Sequence, residues 1–409
     1  MARTPKEPSH NQQPQESAPH QQPRQAHKRP RKHRRHGEGS IYQLKDGRYA
    51  AALRVEGKRK VYYGKTYKEA QEKLQQALYE KKQGMLATGP QQTLEQFLSH
   101  WIEHVQKPTV GLKTYVNHRG LLYNHVIPVL GKVRLQQVTP EKLEMLYALL
   151  QQEKNLKASS IKIIHSILGK AFGHAVRRKI ISHNPCDLAV KPRVEKFDIQ
   201  PLNEEQAKRL VEAVRGDLLF EGLITVTVTL GLRRGEVLGL KWDDIDFVNK
   251  CLYVRRSTSR VGKYGIVEKE PKTKSGLRKI SLPDFLIDIL KRHQERQQEH
   301  KAKVGTTWKD SGYVFCNSVG NFYHESNLTV RYKRLLQRAG LPEIRFHDLR
   351  HSAATILLSM GVNPKVVQEL LGHSSFVTTM NTYAHVLPSM QQEAVQKLDN
   401  FYQRSDDKS

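Results

Sequence analysis

The chain is short of cysteine, of long apolar runs and of acidic residues, and each shortage closes off a class of protein. Only three cysteines occur in 409 residues, Cys186, Cys251 and Cys316. Their odd number and wide spacing argue against a disulfide framework or a cysteine-rich zinc site and suit a reducing cytoplasm. The longest uncharged apolar candidate is Gly222–Leu232, well short of the roughly 18 residues a membrane helix needs. The N-terminus is rich in Gln, Pro and His with no apolar core, so it does not read as a secretory signal. Acidic residues number 40 against 68 Lys and Arg, a formal charge of +28. Such a balance predicts a polyanionic partner. At a loose prior of about 150 residues per domain, two to three domains are expected, and a hydrophobic content of 38% gives each one a core.

The positive charge is unevenly spread. The first 191 residues hold 34 Lys and Arg against 14 Asp and Glu, and the remaining 218 hold 34 against 26. Residues 1–37 read as a disordered basic tail, ending in the run His27–His36, in which almost nothing can be buried. Residues 38–90 read as a small three-stranded sheet followed by a helix. Asp46-Gly47 and Glu56-Gly57 mark hairpin turns, and Thr66 to Glu69 has the form of a capping box. Arg48, Arg54, Lys58 and Lys60 alternate with apolar residues and are expected to form one basic face suited to a DNA major groove.

Residues 91–190 read as helical throughout. Thr93 to Gln96 is a second capping box, Thr139-Pro140 has N-cap and N1 residues in their favoured order, and a third helix begins near Ser160. Leu94, Phe97, Leu98, Trp101 and Val105, and then Ile161, Ile164, Leu168, Ala171 and Ala175, recur at helical spacing as core stripes. Lys162, Lys170, Arg177, Arg178 and Lys179 lie on the polar faces and suit contact with a nucleic-acid backbone. Residues 191–201 carry Pro192 and Pro201 and read as a linker. Residues 202–400 mix helices with small strands at Cys251–Ser257 and Lys279–Leu282, and 401–409 form a tail. The predicted fold class is therefore mainly α with small β-sheets and several domains, the last of them α+β.

Four stretches of the last domain carry candidate chemistry. They are Gly231-Leu232-Arg233-Arg234-Gly235-Glu236, Lys272-Thr273-Lys274-Ser275-Gly276 read as a hairpin tip, His347-Asp348-Leu349-Arg350-His351, and Leu371-Gly372-His373 with Tyr383 ten residues on. Taken singly, each has an ordinary explanation, such as a surface ion pair at i, i+3 for Arg233 and Glu236. His347 and His351 stand i, i+4 around an acid and suggest a zinc helix of a hydrolase, with His373 as third ligand. Against that reading, Asp348 is shorter than the usual Glu, and Arg350 places a cation beside any metal. The alternative places His347 and Arg350 on one helix face, addressing an anion.

The ordered set GLRRGE, TKSG, HDLRH, LGH and a final Tyr resembles the tyrosine recombinases, the phage-type integrase family. The resemblance covers 93–400, and 38–83 resembles the arm-site DNA-binding domain of some integrases. It implies a helical core-binding domain over 91–190 and a recombinase catalytic domain over 202–400. Carried over, Arg233 and Arg350 clamp the scissile phosphate through planar guanidinium forks. Lys274 protonates the leaving 5′-oxygen, with Lys272 and Lys279 as alternatives of register. His347 takes the tyrosine proton or orients the phosphate, His373 donates a hydrogen bond, Glu236 braces the clamp, and Tyr383 is the nucleophile. Arg234 is the alternative to Arg233.

The resemblance further implies a covalent 3′-phosphotyrosine intermediate with no metal or ATP. The expected partners are double-stranded DNA attachment sites and a homo-tetramer in synapsis, with an accessory DNA-bending protein or directionality factor as further candidates. The expected setting is the cytoplasm, at the nucleoid, for a bacterial or phage-encoded protein, with no membrane. The competing functions are a type IB topoisomerase-like activity, a DNA-binding regulator of the same fold without catalysis, and the zinc hydrolase using His347 and His351. Met390, Ala394, Val395, Leu398 and Phe401 space out an amphipathic final helix, suited to its own domain or to a neighbouring protomer.

Overall fold

A computed structural model describes residues 38–55, 58–82, 92–195, 200–270, 276–372, 395–396, 398–400 and 402. The expected basic tail, Lys272, Lys274, His373, Tyr383 and most of the expected final helix lie outside these residues. Contacts divide the chain into two compact units, Met1–Gln91 with Phe172–Pro185, and Gln92–Ala171 with Cys186–Ser409. It is mainly helical with small antiparallel sheets. Among the described residues no helix is long and apolar enough to cross a membrane.

The first unit contains β1 (Ser40–Gln43), β2 (Tyr49–Val55) and β3 (Lys58–Gly64), paired antiparallel in chain order. In the turn between β1 and β2, the Asp46 carboxylate accepts from the Arg48 N–H at 3.1 Å, an Asx-type turn. Helix α1 (Tyr67–Lys82) follows. Thr66 Oγ1 accepts from the Glu69 N–H at 3.2 Å, but the Glu69 carboxylate reaches back to the N–H of Lys65 at 2.8 Å, one residue earlier than a capping box requires. Ala70, Leu74 and Ala77 of α1 cover Ala51, Leu53 and Val55 of β2.

Directly paired residues of an antiparallel sheet share a face, so the register sorts the basic side chains. Leu53, buried under α1, pairs with Lys60, whereas Arg54 pairs with Arg59. Arg54 and Lys60 therefore lie on opposite sides of the sheet, and the single basic face expected from the sequence does not form. The side away from α1 carries Arg54, Arg59, Tyr42 and Tyr63 around the small Ala50 and Ala52. Arg59 Nη2 donates to the Tyr42 hydroxyl at 3.0 Å, and the Arg48 guanidinium lies 5.9 Å from the Tyr63 ring centre.

The second unit opens with α2 (Leu94–His100), which continues through a π-helical turn at Trp101–Gln106. Its capping box is complete, with Thr93 Oγ1 accepting from the Gln96 N–H at 3.2 Å and Gln96 Oε1 from the Thr93 N–H at 3.1 Å. Then come α3 (Leu112–Leu121), α4 (Ile127–Leu130), α5 (Pro140–Gln152) and α6 (Ala158–Arg177), the last contributing residues to both units. The apolar stripes read from the sequence are buried at Leu94, Phe97, Trp101, Ile161, Ile164 and Leu168. Lys162, Lys170, Arg177 and Arg178 are exposed.

Next in the same unit come α7 (Glu204–Ala213), α8 (Phe220–Leu230) and the short α9 (Arg234–Leu238). Helix α8 is apolar on nearly every side and lies at the centre of one core, with Leu286, Leu290, Phe315 and Leu349 in the same cluster. Strands β4 (Ile245–Asp246), β5 (Cys251–Val254) and β8 (Arg278–Ser281) form one antiparallel sheet, and β6 (Ser257–Arg260) pairs with β7 (Ile266–Lys269) in another. The hairpin tip falls at 261–265, where Gly262 and Gly265 take positive φ, as a tight reversal demands. Of the segment 272–276, read as a hairpin tip, residues 272–275 lie outside the described residues, between β7 and β8 in the chain. Helix α10 (Asp284–Val304) was not anticipated; α11 (Glu325–Arg338), α12 (Asp348–Ser359) and α13 (Pro364–Leu371) complete the described elements.

Candidate active site

Helix α8 ends in a left-handed glycine, Gly231, at φ 61°. A Cβ there would stand 2.3 Å from Leu371 Cδ2, so a side chain at 231 would force Leu371 of α13 to shift. The chain then turns into α9 with Arg233 at its N-cap. Arg233 Nη1 donates to Glu236 Oε1 at 2.7 Å, its backbone N–H donates to Glu236 Oε2 at 3.0 Å, and its Nη2 donates to the Gly372 carbonyl at 2.8 Å. The guanidinium is thus held at both terminal nitrogens, while 38% of the side chain stays exposed. The adjacent Arg234 behaves differently, reaching Glu325 at 3.3 Å.

Arg350, on the first turn of α12, is only 2% exposed. Its Nη1 donates to the Gly231 carbonyl at 2.8 Å, two residues from Arg233. His347 stands at the N-cap of α12. Burial and then the Arg350 charge push its pKa down, with Arg233 and Arg345 adding to the effect. His351, one turn on, is pushed down to about 4 by burial and by His347. Both rings are therefore neutral at neutral pH. The two rings are perpendicular, with centroids 5.6 Å apart. Asp348 is paired with Arg345, which holds both its oxygens, at 2.7 and 3.0 Å.

Glu236 is 4% exposed. Burial works to raise its pKa, but the Arg278 hydrogen bond and charge, with the Arg233 charge, outweigh it and leave the carboxyl below its ordinary range. Arg233, Glu236, His347, Gly276 and Gly372 line one cleft of about 1170 Å³, whereas Arg350, His351 and Arg278 are not among its lining residues. Lys274, His373 and Tyr383 lie outside the described residues, but Gly276 and Gly372, which flank two of them in sequence, line this cleft. The structure adds cations that the sequence reading passed over: Lys113 from α3, Lys269 from β7, Lys333 from α11, and Arg345. None sits in a distinctive motif, so only the shared cleft picks them out. The lining also holds Glu236, Glu270, Glu325 and Glu343; cations outnumber these carboxylates, and the exposed part of the Arg233 guanidinium can meet an anion.

A profile of the phage integrase family matches residues 200–390, and one of the phage integrase N-terminal SAM-like domain matches 93–148. A tyrosine recombinase XerC-like protein of Caldanaerobacter subterraneus is 35% identical over 363 residues, covering 84% of this chain and 92% of that protein. The chain belongs to the phage integrase family. It is a tyrosine recombinase, an enzyme of site-specific DNA recombination. The ICEBs1 integrase of Bacillus subtilis is 29% identical, with 70% of the recombinase and 77% of that integrase covered. Among solved structures, the Tn1549 transposon integrase in complex with transposon right end DNA superposes with a TM-score of 0.62 at 25% identity, over 75% of the recombinase and all of that chain. The membership sets aside the zinc hydrolase.

Proposed function

We propose that the recombinase breaks and rejoins DNA of a mobile element through Tyr383, with the phosphate held by Arg233 and Arg350. In this reading the Tyr383 oxygen attacks the scissile phosphorus, and a 3′-phosphotyrosyl bond forms as the bond to the 5′-oxygen breaks. His347, neutral through burial, accepts the tyrosine proton or orients the phosphate. Lys274 delivers a proton to the leaving 5′-oxygen, and His373 donates to a non-bridging oxygen. Attack by the 5′-hydroxyl of a partner strand reverses each bond change, so the phosphoester is conserved and neither ATP nor a metal is consumed. The negative charge developing on the non-bridging oxygens is what guanidinium forks stabilise best.

The observation that carries this reading is the Arg233 fork, held at both terminal nitrogens by Glu236 and Gly372 yet partly exposed and lining the cleft. The proposed domains are an arm-type DNA-binding domain at 38–90, a helical core-binding domain at 91–190 and a catalytic domain at 202–400. Synapsis is proposed to use four copies; one family fold, that of lambda integrase, is known as a tetramer bound to a Holliday junction.

The test is covalent capture. A random pool of nicked suicide duplexes, in which the released strand diffuses away, is incubated with the full chain in EDTA, and adducts are selected and sequenced. The expected result is an adduct of the wild type that Tyr383→Phe loses. An adduct that persists in Tyr383→Phe removes the nucleophile assignment, and activity that EDTA abolishes removes the metal-free mechanism.

A further inference from the structure

One buried cation at the site has no role in the chemistry above. Arg278 opens β8, directly after the segment that contains Lys274, and its side chain is 7% exposed. Its Nη2 donates to Glu236 Oε2 at 2.9 Å, its Nε to the Leu370 carbonyl at 2.7 Å, and its Nη1 lies 3.4 Å from the Gly276 carbonyl. Glu236 divides its two oxygens: Oε1 takes Arg233 Nη1, and Oε2 takes Arg278 together with the Arg233 N–H. The end of α13 is shared in the same way, with Arg278 on Leu370 and Arg233 on Gly372. Carbonyls of a helix's last turn lack partners within the helix and favour cations.

The geometry points to Arg278 as a positioning residue for strand cleavage, which fixes the rotation of the Arg233 fork through Glu236 and the exit of α13 through Leu370. The reasoning is one of constraint. The Arg233 N–H is a neutral donor to Oε2; Arg278 adds a charged donor on the same oxygen, which keeps Oε1 for Arg233 Nη1. The fork is then restrained, partly exposed at the cleft, before DNA arrives, the preorganisation that electrostatic catalysis depends on. Lysine at 278 keeps the charge but cannot make three divergent contacts from a planar group. Arg278 touches no reacting atom; it acts through Arg233.

This inference rests on the phosphate role proposed for Arg233, and the experiment separates the two. Full-length wild type and Arg278→Lys are compared on the captured suicide duplex, scoring equilibrium binding and single-turnover adduct formation. Arg278→Lys is expected to bind within about threefold of wild type and to cleave at least tenfold more slowly. The comparison is repeated with a methylphosphonate at the mapped scissile position, whose neutral phosphorus centre needs no aligned guanidinium charge; there the difference is expected to shrink to within about threefold.

Equal losses in binding and cleavage, or a cleavage defect undiminished on the neutral substrate, overturn the inference. If Arg278→Lys does not fold, Arg278→Met with Glu236→Gln removes both charges of the buried Arg278–Glu236 pair, and Glu236→Gln alone serves as the reference for the lost Arg233 ion pair. That pair is expected to lose no more cleavage than Glu236→Gln alone, and a further additive loss overturns the inference. Wild-type protein that forms no adduct removes the underlying reading and this one with it. A wild-type adduct with Arg278→Lys at full speed removes this one alone.

Discussion

At the scale of single residues, charge and burial are balanced pair by pair. Glu236 stays ionised in a buried setting because two arginines face it, and Arg278 and Glu236 form a buried pair in which neither partner is dispensable. Breaking such a pair by removing one side costs about 3–5 kcal/mol, since a buried charge is left uncompensated. Glu236→Ala is therefore expected to lower the unfolding midpoint measurably as well as to slow cleavage. Histidine gives the pH response. The His351 pKa falls from an ordinary 6.5 to about 4 in the fold, so between those values the unfolded chain binds more protons than the native one. Stability must then decline as pH falls from about 6.5 towards 4. Thermal unfolding at pH 7.5, 5.5 and 4.5 checks this, and His351→Gln should flatten part of the decline.

Elements come next, and here glycine and helix ends decide. Gly231 combines a left-handed backbone with contact to Leu371. Gly231→Ala is expected to destabilise by about 2–4 kcal/mol, from backbone strain and overpacking together, read as a drop in the denaturant midpoint. Helix α6 supplies the opposite case. It ends in a Schellman arrangement, with Ile180 N–H donating to Ala175 O at 2.9 Å and Lys179 N–H to Val176 O at 2.8 Å. The residue at C′ is Lys179 at φ 55° where glycine is favoured. Lys179→Gly should stabilise by up to about 1 kcal/mol, visible as a raised midpoint. The same scale explains α10, missing from the sequence reading. Its buried residues, Leu286, Ile287, Leu290 and His293, occupy only its first half, and the second half is almost wholly polar. Such a helix has no apolar stripe along most of its length, so periodicity does not reveal it.

For the whole molecule, the charge of +28 spans units with different proposed tasks. If the first unit grips DNA apart from the site of cleavage, deletion of residues 1–83 is expected to weaken binding to distal sites and to leave adduct formation on a short suicide duplex near the wild-type rate. Equal loss in both assays would sink that division of labour. Binding of the full chain should also fall steeply with salt: six to ten phosphate contacts correspond to a loss of about 10³–10⁵ in affinity between 50 and 200 mM. A filter-binding titration across that range checks it.

The amino-acid sequence alone determined whatever depends on neighbours along the chain. The caps at Thr93 and Thr139, the buried stripes and the mostly helical class follow from local hydrogen bonding and periodicity, and they recur in the structure. The family resemblance was also legible, because GLRRGE, HDLRH and LGH are short words in fixed order. Tertiary structure alone decided which distant residues meet. Pleat and register put Arg54 and Lys60 on opposite sides of one sheet, which no count of basic residues reveals. Arg278 looked like one of 68 cations until folding brought β8, Glu236 and the end of α13 together. Buried electrostatics depends on three-dimensional distance and on exclusion of water, and neither is written in sequence spacing.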